Sequence, residues 1–149
     1  MITLISYDGQ QFQTPLETAK RMKMVEVAIS FEPDVPSLQI GINGRMLNLI
    51  LRWLEAHPGV TEAYIPRPIP SKDLSSFLCE TDVDFFGGLL LSDLRELLTA
   101  IDFVDVQPML DMAAATMAAI IRYKTDKQVR ELFDTGLYDD YVVSQLIHN

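Results

Sequence analysis

The stretch SDLRELLTAIDFVDVQPMLDMAAATMAAIIR, residues 92–122, reads as two consecutive helices and decides the fold. In its first half Leu94, Leu97, Leu98 and Ile101 recur at the three-then-four spacing of one helix face, with Asp93, Arg95, Glu96 and Asp102 off that face. One side of this helix is therefore committed to a core. Phe103-Val104-Asp105 breaks the pattern, and Asp105 is expected to cap the next helix by accepting bonds from its free N–H groups. Pro108 is tolerated in the first turn, where an N–H has no helical partner to lose. The second helix carries Met109, Leu110, Met112, Ala113, Met117, Ile120 and Ile121, with no charge between Asp111 and Arg122. Most of its circumference must be covered, and the uncharged run is too short to span a bilayer. A methionine-rich surface on it also suits a partner, since flexible thioethers adapt to foreign shapes.

Composition sets the bounds outside this stretch. The 149 residues suit one domain with a sizeable core and room for a helical appendage. Hydrophobic residues at 48% against charged residues at 22% mark a folded chain. A net charge of -9 repels phosphate backbones and anionic membranes, which argues against nucleic acid and membrane surfaces as partners. Arg122, Lys124, Lys127 and Arg130 do cluster, but cations suit a helix C-terminus and read as a solvated helix end. The single Cys79 excludes an internal disulfide and fits a reducing compartment. Met1-Ile2-Thr3-Leu4-Ile5 lacks the basic flank of a signal peptide, so cytoplasm and nucleus are the expected locations.

Toward the N-terminus, Ile2–Ser6 and Gln11–Gln13 read as strands joined at Asp8-Gly9, because glycine accepts the positive φ of a hairpin turn. Thr14-Pro15-Leu16-Glu17 reads as a helix start with threonine at the cap. A second short helix is expected through Met24–Ile29, and a third strand over Leu38–Ile42. Asn43 is placed to cap a mostly buried helix in which Asn48, Arg52 and Glu55 form the polar stripe. His57-Pro58-Gly59 ends it, and the proline-rich segment to Lys72 reads as a surface loop. Phe77–Leu91 is ambiguous, with a short helix near Asp84–Phe86 and a break at Gly87-Gly88. Thr125-Asp126-Lys127-Gln128 has the logic of a capping box ahead of Val129, Leu132 and Phe133, and a last helix is expected in Asp139–Ile147.

Catalytic patterns are weak. Cys79 and His57 are the nucleophile and base to weigh for a small enzyme, but nothing in the sequence supplies a group to orient them. Asp82 and Asp84 are spaced like two calcium ligands without the rest of a loop site. Gly41-Ile42-Asn43-Gly44 lacks the lysine and glycine spacing of a phosphate loop, and His148 lies at the chain end. No catalytic residue, metal site or cofactor is expected.

The central stretch does resemble a family. Its LTAIDFVDVQPMLD and TMAAIIRYKTDKQVRELF fall in register with L-x-A-A-N-Y-L-D-I-x-x-L-L-D and T-V-A-x-x-I-x-x-K-T-P-E-E-I-R-x-x-F of the Skp-type adaptors of cullin-RING ubiquitin ligases. Further matches lie upstream at Asp8-Gly9, Phe12, Glu17, Ala19, Lys20, Asn43, Leu47, Trp53 and His57, so the resemblance covers most of the chain. It implies an α/β, BTB/POZ-like fold with a small N-terminal sheet and a helical core over residues 1–104, and a C-terminal helical extension over residues 105–149. It further implies a non-catalytic adaptor joining a cullin to an F-box protein. The family's cullin-contacting Asn-Tyr pair carries over to Asp102 and Phe103, the ring kept and a charge added. The F-box side carries over to Met117, Ile120, Ile121, Val129, Leu132 and Phe133. Two departures stand out: the family's Thr-Pro-Glu-Glu is Thr125-Asp126-Lys127-Gln128, and its tryptophan-containing tail has no counterpart after Asp140. The alternative implied by Asp102 is a BTB-like module that has lost its cullin and pairs with itself as a homodimer or with another regulator.

Overall fold

Ile2, Leu4 and Ser6 are buried while Thr3 and Ile5 between them are half-exposed, the period of a strand with one covered face. In the computed structural model, which describes residues 1–147, this strand is β1 (Ile2–Ile5). It pairs antiparallel with β2 (Gln11–Thr14) across a turn in which Gly9 takes φ +87°, and parallel with β3 (Ser37–Gln39), giving the order β2-β1-β3. The third strand is shorter than Leu38–Ile42. The Ile42 N–H turns back onto the Ile40 carbonyl at 2.8 Å while the Ile42 carbonyl accepts from Tyr7 N–H at 2.7 Å, so regular pairing stops at Gln39 and both isoleucines are buried.

The protein is mixed α/β, and its described residues fall into two compact units whose sequences interleave. The first comprises Met1–Glu62 and Thr99–Leu110. It holds the sheet, α1 (Leu16–Ala19), α2 (Lys23–Phe31) and α3 (Gly44–Ala56). In α3 the Asn43 side chain accepts from the Met46 N–H at 2.9 Å, Asn48, Arg52 and Glu55 face solvent, and Trp53 is fully buried. Thr14 is not a cap. It stays in β2 with its hydroxyl buried and without a hydrogen-bonding partner among the described residues, and the cap position falls on Pro15.

The second unit comprises Ala63–Leu98 and the residues from Asp111 onward. A 3-10 turn at Leu74–Ser76 packs with α4 (Glu80–Gly87), which also meets α8 (Val143–Ile147). The ambiguous 77–91 region thus contains a full helix ending at the paired glycines. The last helix is shorter than Asp139–Ile147 because the preceding backbone is committed elsewhere. Leu91 and Ser92 N–H groups bond the Tyr141 and Asp139 carbonyls, and Leu90 bridges Val142. His148 lies outside the described residues.

The deciding stretch forms α5 (Leu91–Val104) and α6 (Gln107–Ile121), followed by α7 (Asp126–Asp134). Leu94, Leu97, Ile101 and Val104 are fully buried, and Asp93, expected off the face, is buried as well. Asp105 closes α5 instead of capping α6. It takes φ +62°, its N–H reaches the Ile101 carbonyl at 2.8 Å, and its own carbonyl accepts from Lys23 N–H at 2.9 Å. Around α7 the capping box is complete, Thr125 accepting from Gln128 N–H at 3.2 Å and the Gln128 side chain from Thr125 N–H at 3.0 Å. No helix among the described residues is long and apolar enough to cross a membrane.

Candidate partner-binding surfaces

Asp102 and Phe103 lie in the last turn of α5, within the first unit, and both are exposed, Phe103 at 53%. The Phe103 ring rests over Gly41, where a Cβ would come within 3.1 Å of the ring tip. A glycine there lets the ring lie against bare backbone while its other face meets water. An exposed aromatic held by its own chain is well suited to a protein contact, because ordering it further loses little entropy.

The six residues expected on the C-terminal helices, all in the second unit, separate by exposure. Ile120 is fully buried and Leu132 is 4% exposed, so in the isolated chain both pack internally. Met117, Val129 and Phe133 are half-buried, and Ile121 is 36% exposed. The Arg95 guanidinium stands 5.4 Å from the centre of the Phe133 ring and also pairs with Asp139 at 3.1 Å. What remains open is a discontinuous apolar strip along α6 and α7.

Two of the cations read as solvated are tied down. Arg122 donates to the Ile69 carbonyl and lies 4.9 Å from the Tyr123 ring, and Lys124 donates to the Ile120 and Leu146 carbonyls. Of these acceptors Ile120 lies in the last turn of α6 and Leu146 in the last turn of α8, where carbonyls lack helical partners, and Ile69 lies in the proline-rich segment. Burial, with a smaller push from Lys72, lowers the Lys124 pKa. Lys127 and Arg130 remain exposed. By holding Ile69, Arg122 places the proline-rich segment Ile65–Ile69, which bends at the cis Arg67–Pro68 peptide, beside α6, and an apolar cavity of about 540 Å³ lies between them.

Arg21 is a structural anchor that local sequence pattern does not reveal. Its guanidinium donates to the carbonyls of Leu54, His57 and Val60 at 2.8, 2.7 and 3.0 Å, closing the end of α3, and burial lowers its pKa. The polar cleft of about 700 Å³ beside it is lined by Glu17, Lys20, Lys23, Glu26 and Asp105, charges of both signs that select no single ion.

Cys79 and His57 have separate commitments. Cys79 sits exposed at the start of α4 with its thiol 3.2 Å from Asp82 Oδ2. The His57 ring stacks on Trp53 at 4.0 Å, and its Nδ1 lies 2.7 Å from the Trp53 carbonyl, which makes that nitrogen the donor. Asp82 is buried and Asp84 exposed, because positions two apart on a helix face away from each other. No group of three or more metal-binding side chains occurs among the described residues.

No protein-family model matches the chain. Curated relatives do. The S-phase kinase-associated protein 1 homolog of Tetrahymena thermophila is 26% identical over 136 residues, covering 89% of this chain and 81% of the relative. SKP1-like protein 11 of Arabidopsis thaliana is 28% identical over 137 residues, 90% and 83% of the two chains. A fungal relative from Arthroderma benhamiae, the E3 ubiquitin ligase complex SCF subunit sconC, is 25% identical over 143 residues, 89% and 82%.

Proposed function

We propose, from the premise that this chain is a divergent member of the Skp1-type family, that it is a non-catalytic adaptor linking an F-box substrate receptor to a cullin scaffold in a ubiquitin ligase. The observation that carries this reading is similarity running through about nine-tenths of the chain, the α5–α7 stretch included. In this reading the small sheet and its helices, residues 1–104, are a BTB/POZ-type portion, and residues 105–149 are the extension that packs with the F-box. The protein acts in the cytoplasm and nucleus and needs no cofactor. Exposed Asp102 and Phe103 support a cullin contact. The half-open Met117, Ile121, Val129 and Phe133, backed by buried Ile120 and Leu132, support an F-box contact. A stable contact of this kind removes about 1,200–2,000 Å² from water.

The test is to mix the full chain with an F-box domain and a cullin N-terminal domain and follow the complex by size-exclusion chromatography with light scattering. A ternary complex is expected, with Phe103→Ala weakening the cullin step by about tenfold. A folded chain that binds neither ends the adaptor reading. Asp102 motivates the second reading, because a contact that dehydrates its charge without pairing it is costly. Binding to the F-box domain without the cullin, together with a doubled mass in solution, selects the self-associating module. Cullin binding restored by Asp102→Asn would assign the loss to that one charge.

A further inference from the structure

We infer that α2 pairs antiparallel with the α2 of a second copy of this chain, through the exposed stripe Lys23, Val27, Ser30 and Phe31. The contact lies wholly on the first unit and does not rest on the adaptor reading. Met22, Val25 and Ile29 turn inward, and the residues at helical spacing on the opposite side reach solvent, Val27 at 47% and Phe31 at 81% exposure. Four residues apart, the valine and the phenylalanine form one apolar patch. Ser30 beside them has folded its hydroxyl back to donate to the Val27 carbonyl at 2.5 Å, so covering it strands no donor.

Charge specifies the occupant. α2 carries its charges against its own dipole: Lys20, Arg21 and Lys23 precede or open it, where the positive end disfavours cations, and Glu32 and Asp34 follow it, where the negative end disfavours anions. Glu26 relieves Lys23 in part at 3.5 Å, but the last turn holds no basic residue. Lys23 and Glu32 lie nine residues apart, about 13 Å along the axis, too far to pair with each other. An antiparallel copy removes the conflict at both ends, because its Glu32 and Asp34 come to the basic end and its Lys20 and Lys23 to the acidic one. With Val27 at the twofold axis, Phe31 of each copy meets the methylene stem and ammonium of the other's Lys23. The chain carries -9 overall, yet residues 20–34 hold three cations and three anions, so the paired faces are neutral and salt screens charges beyond about 8 Å. Two helices of 9 residues bury less than the about 1,000 Å² of a stable interface, so the dimer is in exchange, with Kd on the order of 100 µM.

The experiment is sedimentation equilibrium of the full chain from about 10 to 500 µM, across which wild type is expected to pass from one chain toward two. Phe31→Ser, at a side chain already open to water, is expected to weaken pairing by about tenfold. Lys23→Glu and Glu32→Lys each set like charges across the pair and are expected to weaken it by about threefold, with the gap closing as salt rises. Mixed together, these two variants regain matched ends and are expected to associate as well as wild type, while Arg130→Glu, the same charge change on exposed α7, leaves pairing unaltered. A wild type that stays monomeric throughout overturns the inference. So does a dimer that keeps its strength within twofold in Phe31→Ser and in both charge variants, since the copies then meet elsewhere. Charge variants that weaken pairing and do not recover on mixing overturn the antiparallel arrangement. None of these outcomes involves a cullin or an F-box domain, so the adaptor reading stands or falls separately.

Discussion

At the scale of single residues, stability is concentrated where a polar side chain reaches main chain far away in sequence. Arg21 holds three carbonyls 33 to 39 residues distant. Arg21→Met leaves them without that donor and is expected to lose about 2–3 kcal/mol in urea unfolding, and lysine is expected to recover only part, since an ammonium lacks the planar fork. Asp8 accepts from the Ser6 hydroxyl at 2.6 Å and the Gly44 N–H at 2.7 Å, and these bonds, the hydroxyl's first, hold its pKa below 3.8. Its folded value lies under its unfolded one, so its contribution is complete above the unfolded pKa and disappears as pH falls through the folded value. Asp8→Asn should therefore flatten the acid limb of a plot of melting temperature against pH while sparing its slope near neutrality. Thr14 points the other way. Its hydroxyl is buried without a partner among the described residues, and Thr14→Val keeps the shape, so a gain of about 1 kcal/mol is expected.

At the scale of elements, what local chemistry dictates was legible. Asn43 begins α3, Gly9 makes the hairpin, and Thr125 with Gln128 opens α7, because each signal acts within four residues. Thr125→Ala should cost about 1 kcal/mol, with Thr125→Ser near wild type, read by urea unfolding and by amide exchange in the first turn of α7. The misread positions have different causes. Asp105 has the shape of a cap, but the tight link between α5 and α6 puts it in the left-handed region that aspartate tolerates. Arg122 looks solvated until Ile69, 53 residues away, is brought to it. On a helix apolar nearly all round, sequence does not say which side its own chain covers. Ile120 and Ile121 are neighbours of one type, one fully buried and the other 36% exposed. Asp102 and Phe103 came from family resemblance, since no pattern in the residues themselves marks them.

At the scale of the whole molecule, the chain passes between its two units at 62–63, 98–99 and 110–111, and the last two passages fall inside α5 and α6. A unit that melted alone would have to break a helix near its middle, giving up cooperative main-chain bonds for no gain. Unfolding is therefore expected to be a single transition despite the two clusters. The sequence supplies its own probe, because Trp53 is the only tryptophan, is fully buried, and belongs to the first unit, whereas far-ultraviolet ellipticity reports helices of both. Melting curves followed by the two signals should superimpose, and a tryptophan transition several degrees from the ellipticity transition would refute the coupling. Thr99→Pro tests its cause. Thr99 is exposed at the passage within α5, and proline there removes a helical hydrogen bond and clashes with the preceding turn at a cost of about 3 kcal/mol. If the shared helices join the units, that substitution should both lower the midpoint and pull the two curves apart, whereas Thr99→Ala should leave them together.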